Sequence, residues 1–83
     1  MIKILYSVRD DLNDFGSVFT APSDGFAKRD FASAVNNPGP SAVAYSPKDF
    51  GLYKLGTFDS ETGIVKPEPV PVLIVRGDAL VGA

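Results

Sequence analysis

The sequence predicts a small α+β fold: an antiparallel sheet of about four strands, in the order β-β-α-β-β, with one helix packed on one face. Three observations predict it. An alternating apolar run opens the chain, a helical apolar stripe with its own start and stop signals follows, and an aromatic-rich strand pair closes on an acidic, glycine-ended turn. At 83 residues the chain makes one domain. A domain this short buries only roughly 60–65% of the surface its unfolded form exposes, so the core is modest.

From Ile2 to Val8, Ile2, Ile4, Tyr6 and Val8 point one way and Lys3, Leu5, Ser7 and Arg9 the other. That period of two marks a half-buried strand. Asp10 to Asp14 is rich in turn formers and reads as a loop. Gly16 to Ala21 is a shorter second strand, stopped by Pro22, so the two strands form a hairpin. Ser23 is a helix N-cap and Asp24 suits the positive end of the helix dipole. Ala27, Phe31, Ala34 and Val35 recur at helical spacing as one narrow stripe. Asn36-Asn37-Pro38-Gly39-Pro40 ends that helix.

Residues 41–47 read as a loop around Tyr45, and Asp49 to Phe58 as an aromatic-rich strand. Asp59-Ser60-Glu61-Thr62-Gly63 is a hairpin turn, with Gly63 left-handed, leading into the return strand Ile64 to Lys66. Pro67-Glu68-Pro69-Val70-Pro71 reads as an extended linker. Residues 1–66 are therefore the expected α+β domain, and 67–83 a proline-rich C-terminal tail. Within that tail, Val72-Leu73-Ile74-Val75 is either an edge strand or a docking peptide for a partner. All nine aromatics lie at or before Phe58, which sets the core within the first part of the chain.

Composition narrows the function. Ten acids against eight bases give a net charge of −2. A polybasic nucleic-acid binder, with a pI above about 9, is excluded. Histidine and cysteine are absent, and with them ordinary zinc sites, thiol nucleophiles, Ser-His-Asp triads and disulfides. The expectation is a binding module that is not an enzyme and needs no cofactor. The loop acids Asp10, Asp11 and Asp14 read as solvated charges rather than a metal site. The turn at 59–63 lacks the spacing of a calcium loop. The chain start lacks the pattern of a signal peptide, and no run approaches the roughly 18 apolar residues that span a bilayer.

Several stretches, taken in order, carry a resemblance: Lys3-Ile4-Leu5-Tyr6-Ser7-Val8-Arg9-Asp10, then Phe15-Gly16-Ser17-Val18-Phe19-Thr20-Ala21, then Asp24, Ala27, Arg29, Phe31 and Val35-Asn36. The most characteristic is Pro47-Lys48-Asp49-Phe50-Gly51-Leu52-Tyr53-Lys54-Leu55-Gly56-Thr57-Phe58-Asp59, followed by Glu61-Thr62-Gly63. Across about four fifths of its length the chain resembles the small nonstructural, DNA-binding protein of gokushovirus-type microviruses, which are single-stranded DNA phages. The resemblance implies an accessory protein in the cytoplasm of the bacterial host. It would bind single-stranded genome DNA without strong sequence preference and act in replication and packaging. No catalytic residue carries over, and the stretch after Pro67 lies outside the resemblance.

Single-strand binding needs cations along the phosphates and aromatic faces for the bases. The candidate residues are Lys3, Arg9, Lys28, Arg29, Tyr53 and Lys54. Lys3 and Arg9 lie on the less apolar face of the first strand, Lys28 and Arg29 on the helix surface, and Lys54 in mid-strand. If the 49–58 strand pairs beside the first, Lys3, Arg9 and Lys54 share one sheet face. Each cation is equally readable as a solvated charge, and Tyr53 is divided between core and surface. Phe19, Phe31 and Tyr6 are assigned to the core. The uncovered sheet face and edges favour a homodimer. The competing function is a protein–protein adaptor, contacting capsid, scaffold, replication initiator or a host factor through residues 70–75.

Overall fold

The structure, a computed structural model, describes residues 1–37 and 42–82. In chain order it contains strand β1 (Ile2–Asp10), strand β2 (Phe19–Ala21), helix α1 (Asp24–Asn36) and the short helix α2 (Ala42–Tyr45). A 3₁₀ turn (Pro47–Asp49), strand β3 (Phe50–Asp59), strand β4 (Val65–Arg76) and a second 3₁₀ turn (Gly77–Leu80) complete it. The strands form one antiparallel sheet in the order β2-β1-β3-β4. This is the expected α+β class, with α1 lying on one sheet face.

The helix begins where the sequence signals it. The Ser23 hydroxyl accepts from the Phe26 amide at 3.1 Å, satisfying one of the orphan donors of the first turn. Ala27, Phe31 and Val35 are buried, whereas Ala34 is exposed. The apolar stripe is therefore narrower than its spacing implied. α1 ends at Asn36, and Asn37 is extended rather than left-handed. Pro38, Gly39 and Pro40, expected to stop the helix, lie outside the described residues.

Beneath α1 the core gathers Tyr6, Ala21, Ala27, Phe31, Val35, Phe50 and Leu52, with Ile4, Val8, Phe19, Ile74, Val75 and Leu80 packed against it. Tyr6 is fully buried, its ring stacked on Phe19 at 5.8 Å between centroids. Its hydroxyl donates to Asp24 Oδ1 at 2.5 Å, so the phenol reaches the first turn of α1 and is not left unpaired.

The structure corrects three expectations about the elements. Only Phe19–Ala21 of the expected 16–21 strand joins the ladder; before it, Phe15 makes an isolated bridge with Arg9 and the Gly16 amide donates to the Val8 carbonyl. The expected 41–47 loop contains helix α2 at its described residues. The proline-rich stretch is not a linker, because β4 runs through position 66 as one element. Pro67 pairs with Gly56, and residues 68–71 stand opposite Leu55 alone, as a bulge, before pairing resumes at Val72. Prolines are tolerated there because β4 is an edge strand, whose outward amides need no partner in the sheet.

Residues beyond 67 also complete the core. Ile74, Val75 and Leu80 pack against it, and the Asn36 side-chain amide donates to the Leu80 carbonyl at 2.9 Å. The Gly82 amide in turn donates to Asn36 Oδ1 at 2.7 Å. The aromatic tally misled at this point, since the C-terminal part contributes through aliphatic side chains. Truncation at residue 67 would remove a strand and a docked turn.

Candidate nucleic-acid interface

Register assigns each residue of the long strands to a face, because residues paired across an antiparallel ladder point the same way. On the face carrying α1, β1 presents Ile4, Tyr6 and Val8. The opposite face carries no helix; the 15–16 segment covers its middle, burying Ser7, whose hydroxyl donates to the Gly16 carbonyl, and the residues of this open face fall into cross-strand rows. One row is Arg9, Gly51 and Arg76; the next is Ser7, Tyr53 and Leu73; a third is Leu5, Gly56 and Pro67; the last is Lys3, Phe58 and Val65. No acidic residue occupies a paired position in these rows. Lys3 and Arg9 stand six residues apart along β1, about 20 Å at about 3.3 Å per residue.

A register shift shapes this face. Leu5 pairs with Gly56 and Tyr6 with Lys54, so Leu55 is one residue too many for β1. Such a bulge reverses the alternation of everything beyond it. Tyr53 and Phe58, five residues apart, consequently share the open face. A side-chain carbon at Gly56 would collide with the Lys66 carbonyl and lie 2.8 Å from Pro67 Cα, so only glycine lets β4 approach there.

The same register separates the predicted cations. Lys3, Arg9 and Tyr53 come together on the open face. Lys54 does not join them: it pairs with Tyr6 and Val72, which places it on the helix-bearing face. Lys28 and Arg29 are exposed on α1, across the sheet from Lys3 and Arg9. Arg29 sits 4.8 Å over the Phe26 ring, and Lys28 and Arg29 line, with Ala32, Ser33, Asn36 and Leu80, a shallow groove beside the C-terminal turn.

Three residues of the open face escaped sequence reasoning. Phe15 bridges to Arg9, whose guanidinium lies 5.7 Å from its ring centroid, and meets Tyr53 edge-on at 5.4 Å. Phe58 changes face only through the bulge, for which Gly56 inside a strand was the visible signal. Arg76 lay in the stretch read as tail. Its Nη1 is 2.9 Å from the position a Gly51 Cβ would take, close to Tyr53 and Leu73, so the guanidinium lies on the open face.

Arg76 is also the best-held cation. Nη2 donates to Asp11 Oδ2 at 2.5 Å and to the Lys48 carbonyl at 2.7 Å, and Nη1 donates to Asp11 Oδ1 at 3.3 Å. This fork holds the Asp11 carboxyl below its ordinary range and raises the Arg76 guanidinium, in each case chiefly through the shared hydrogen bond. By contrast, Lys3 and Arg9 take part in no ion pair among the described residues. Among those residues, too, no helix is long and apolar enough to cross a membrane.

The face thus combines Lys3 and Arg9, outside any ion pair among the described residues, with the half-exposed rings of Phe15, Tyr53 and Phe58. A family model described as Phage ORF5 protein matches residues 3–80. The chain belongs to the Phage ORF5 protein family. The match runs from β1 to the final 3₁₀ turn and so covers the residues of β4 as well as the part before Pro67. No curated protein and no solved structure matches the chain.

Proposed function

We propose that this phage protein is a non-enzymatic accessory factor that binds single-stranded DNA, without strong sequence preference, across the open face of its sheet. It acts in the cytoplasm of the bacterial host, in genome replication and packaging of a gokushovirus-type microvirus. The observation that carries this reading is the row pattern of the open face. Lys3 and Arg9 flank Phe15, Tyr53 and Phe58, and no acid lies in the paired rows between them. Phosphates meet the two cations, and bases stack on the rings at roughly 1–3 kcal/mol each. The net charge of −2 does not oppose this, because no acid holds a paired position between Lys3 and Arg9 on this face, and Asp11, which reaches its end, is engaged by Arg76.

Fluorescence anisotropy of a labelled oligo-dT at low salt tests the reading. Two phosphate contacts predict a slope of log affinity against log salt of about −1.4, at about −0.7 per phosphate for single strands. The double variant Lys3→Glu/Arg9→Glu abolishes binding, whereas Lys28→Glu/Arg29→Glu leaves it within about twofold of wild type. Absence of binding at tens of micromolar protein would falsify the proposal.

A second reading rests on the edge of β4. Val70, Val72 and Leu73 are exposed along an unpaired strand edge, which is a surface another chain can extend. A second copy of the protein, or a phage or host protein contacting residues 70–75, would use it. Sedimentation of the protein alone distinguishes the two, since a homodimer requires no added partner.

A further inference from the structure

Arg76 differs from the other open-face cations in already holding an anion. The Asp11 carboxylate grips its guanidinium through both nitrogens, in the two-point geometry by which arginine also takes a phosphate. We propose that Arg76 is a third backbone-phosphate seat of the DNA-binding face, and that Asp11 closes it by occupying the position of the phosphate oxygens. This rests on the single-strand reading above and adds to it a self-masking element.

Two features of the structure separate this role from that of a loop fastener. The β1–β2 loop is held without the carboxylate: the Asp11 amide donates to the Asp49 carbonyl at 2.8 Å, Asp10 to the Asp14 carbonyl at 2.9 Å, and Gly16 to the Val8 carbonyl at 2.8 Å. The guanidinium is also held without it, since the Lys48 carbonyl accepts from Nη2. Removing the carboxylate therefore leaves both walls of the seat in place. The seat stands in one row with Arg9, across Gly51, whose missing side chain leaves the space Arg76 fills. A strand that contacts Lys3 and Arg9 passes this row at its end, and a phosphate takes the seat there only once the carboxylate is removed.

The test is the salt dependence of oligo-dT binding by Asp11→Asn. The variant binds severalfold more tightly than wild type, and its slope steepens by about 0.7, one additional phosphate. Asp14→Asn, which removes a charge from the same loop without touching Arg76, leaves the slope unchanged. The double variant Asp11→Asn/Arg76→Gln returns to the wild-type slope. Asp11→Ser provides the same comparison should the Asn variant unfold, and thermal melts of each variant establish that it is folded. If Asp11→Asn and Asp14→Asn raise affinity equally, the effect is bulk charge and the seat does not exist. If wild type binds through Lys3 and Arg9 while Asp11→Asn leaves the slope unchanged, the masking fails and the DNA reading stands. If no folded variant binds DNA, both fall together.

Discussion

Tyr6 shows how one side chain joins the sheet to the helix. Its ring is core, yet its hydroxyl crosses to Asp24 in the first turn of α1. Burial, then the hydrogen bond and charge of Asp24, push the phenol well above its ordinary range. A group whose folded-state pKa is raised contributes stability that is complete below its unfolded value near 10 and is lost as pH climbs past it. Tyr6 is therefore expected to stay protonated until the protein unfolds in alkali. Absorbance titration at 295 nm should give the same folded-state curve for wild type and Tyr6→Phe. A phenolate step near pH 10 present only in folded wild type would contradict this. At this scale the sequence was informative about what each residue does locally. Ser23 caps α1 and Gly63 takes a left-handed φ of 76°, as their neighbours imply. Partnership was not readable: nothing local in Asp11 announces Arg76, sixty-five positions away.

At the scale of elements, the strands and main helix follow from periodicity, and their departures from periodicity follow from contacts. The helix illustrates both. Phe31 is buried to 3% exposure while Ala34, on the same nominal stripe, faces solvent. Phe31→Ala should cost about 3–5 kcal/mol in denaturant unfolding. Ala34→Lys should change stability by less than about 0.5 kcal/mol, as an exposed substitution away from special contacts. Equal losses would mean that α1 sits on the sheet through a wider face. The bulge at Leu55 had a partial signal in Gly56, yet its effect on Phe58 depended on β1 being the neighbour of β3. Within β4 only the stretch 67–71 was misread; 64–66 was read as a return strand, and of the two readings of 72–75 the edge strand is the one found. Its prolines suggested a linker, and only its position at the sheet edge, which no local pattern encodes, makes them compatible with a strand.

The whole molecule resolves how an acidic chain can offer a cationic surface. Of its eight bases and ten acids, Lys3, Arg9 and Arg76 fall on one face of the sheet while most acids lie in loops, turns and the helix, so net charge says little about any one side. Three of the six residues selected from sequence, Lys3, Arg9 and Tyr53, meet on the open face; Lys54, Lys28 and Arg29 do not. That division could not be read in advance, because it required the strand order and the bulge together. It also makes the account testable at residue resolution. Backbone amide chemical shifts of the labelled protein, followed as oligo-dT is added at low salt, measure directly which face the DNA meets. The account predicts changes centred on Lys3, Arg9, Phe15, Tyr53 and Phe58, with Lys28, Arg29 and the exposed side of α1 unmoved. Changes confined to α1, or none at saturating oligonucleotide, would contradict it.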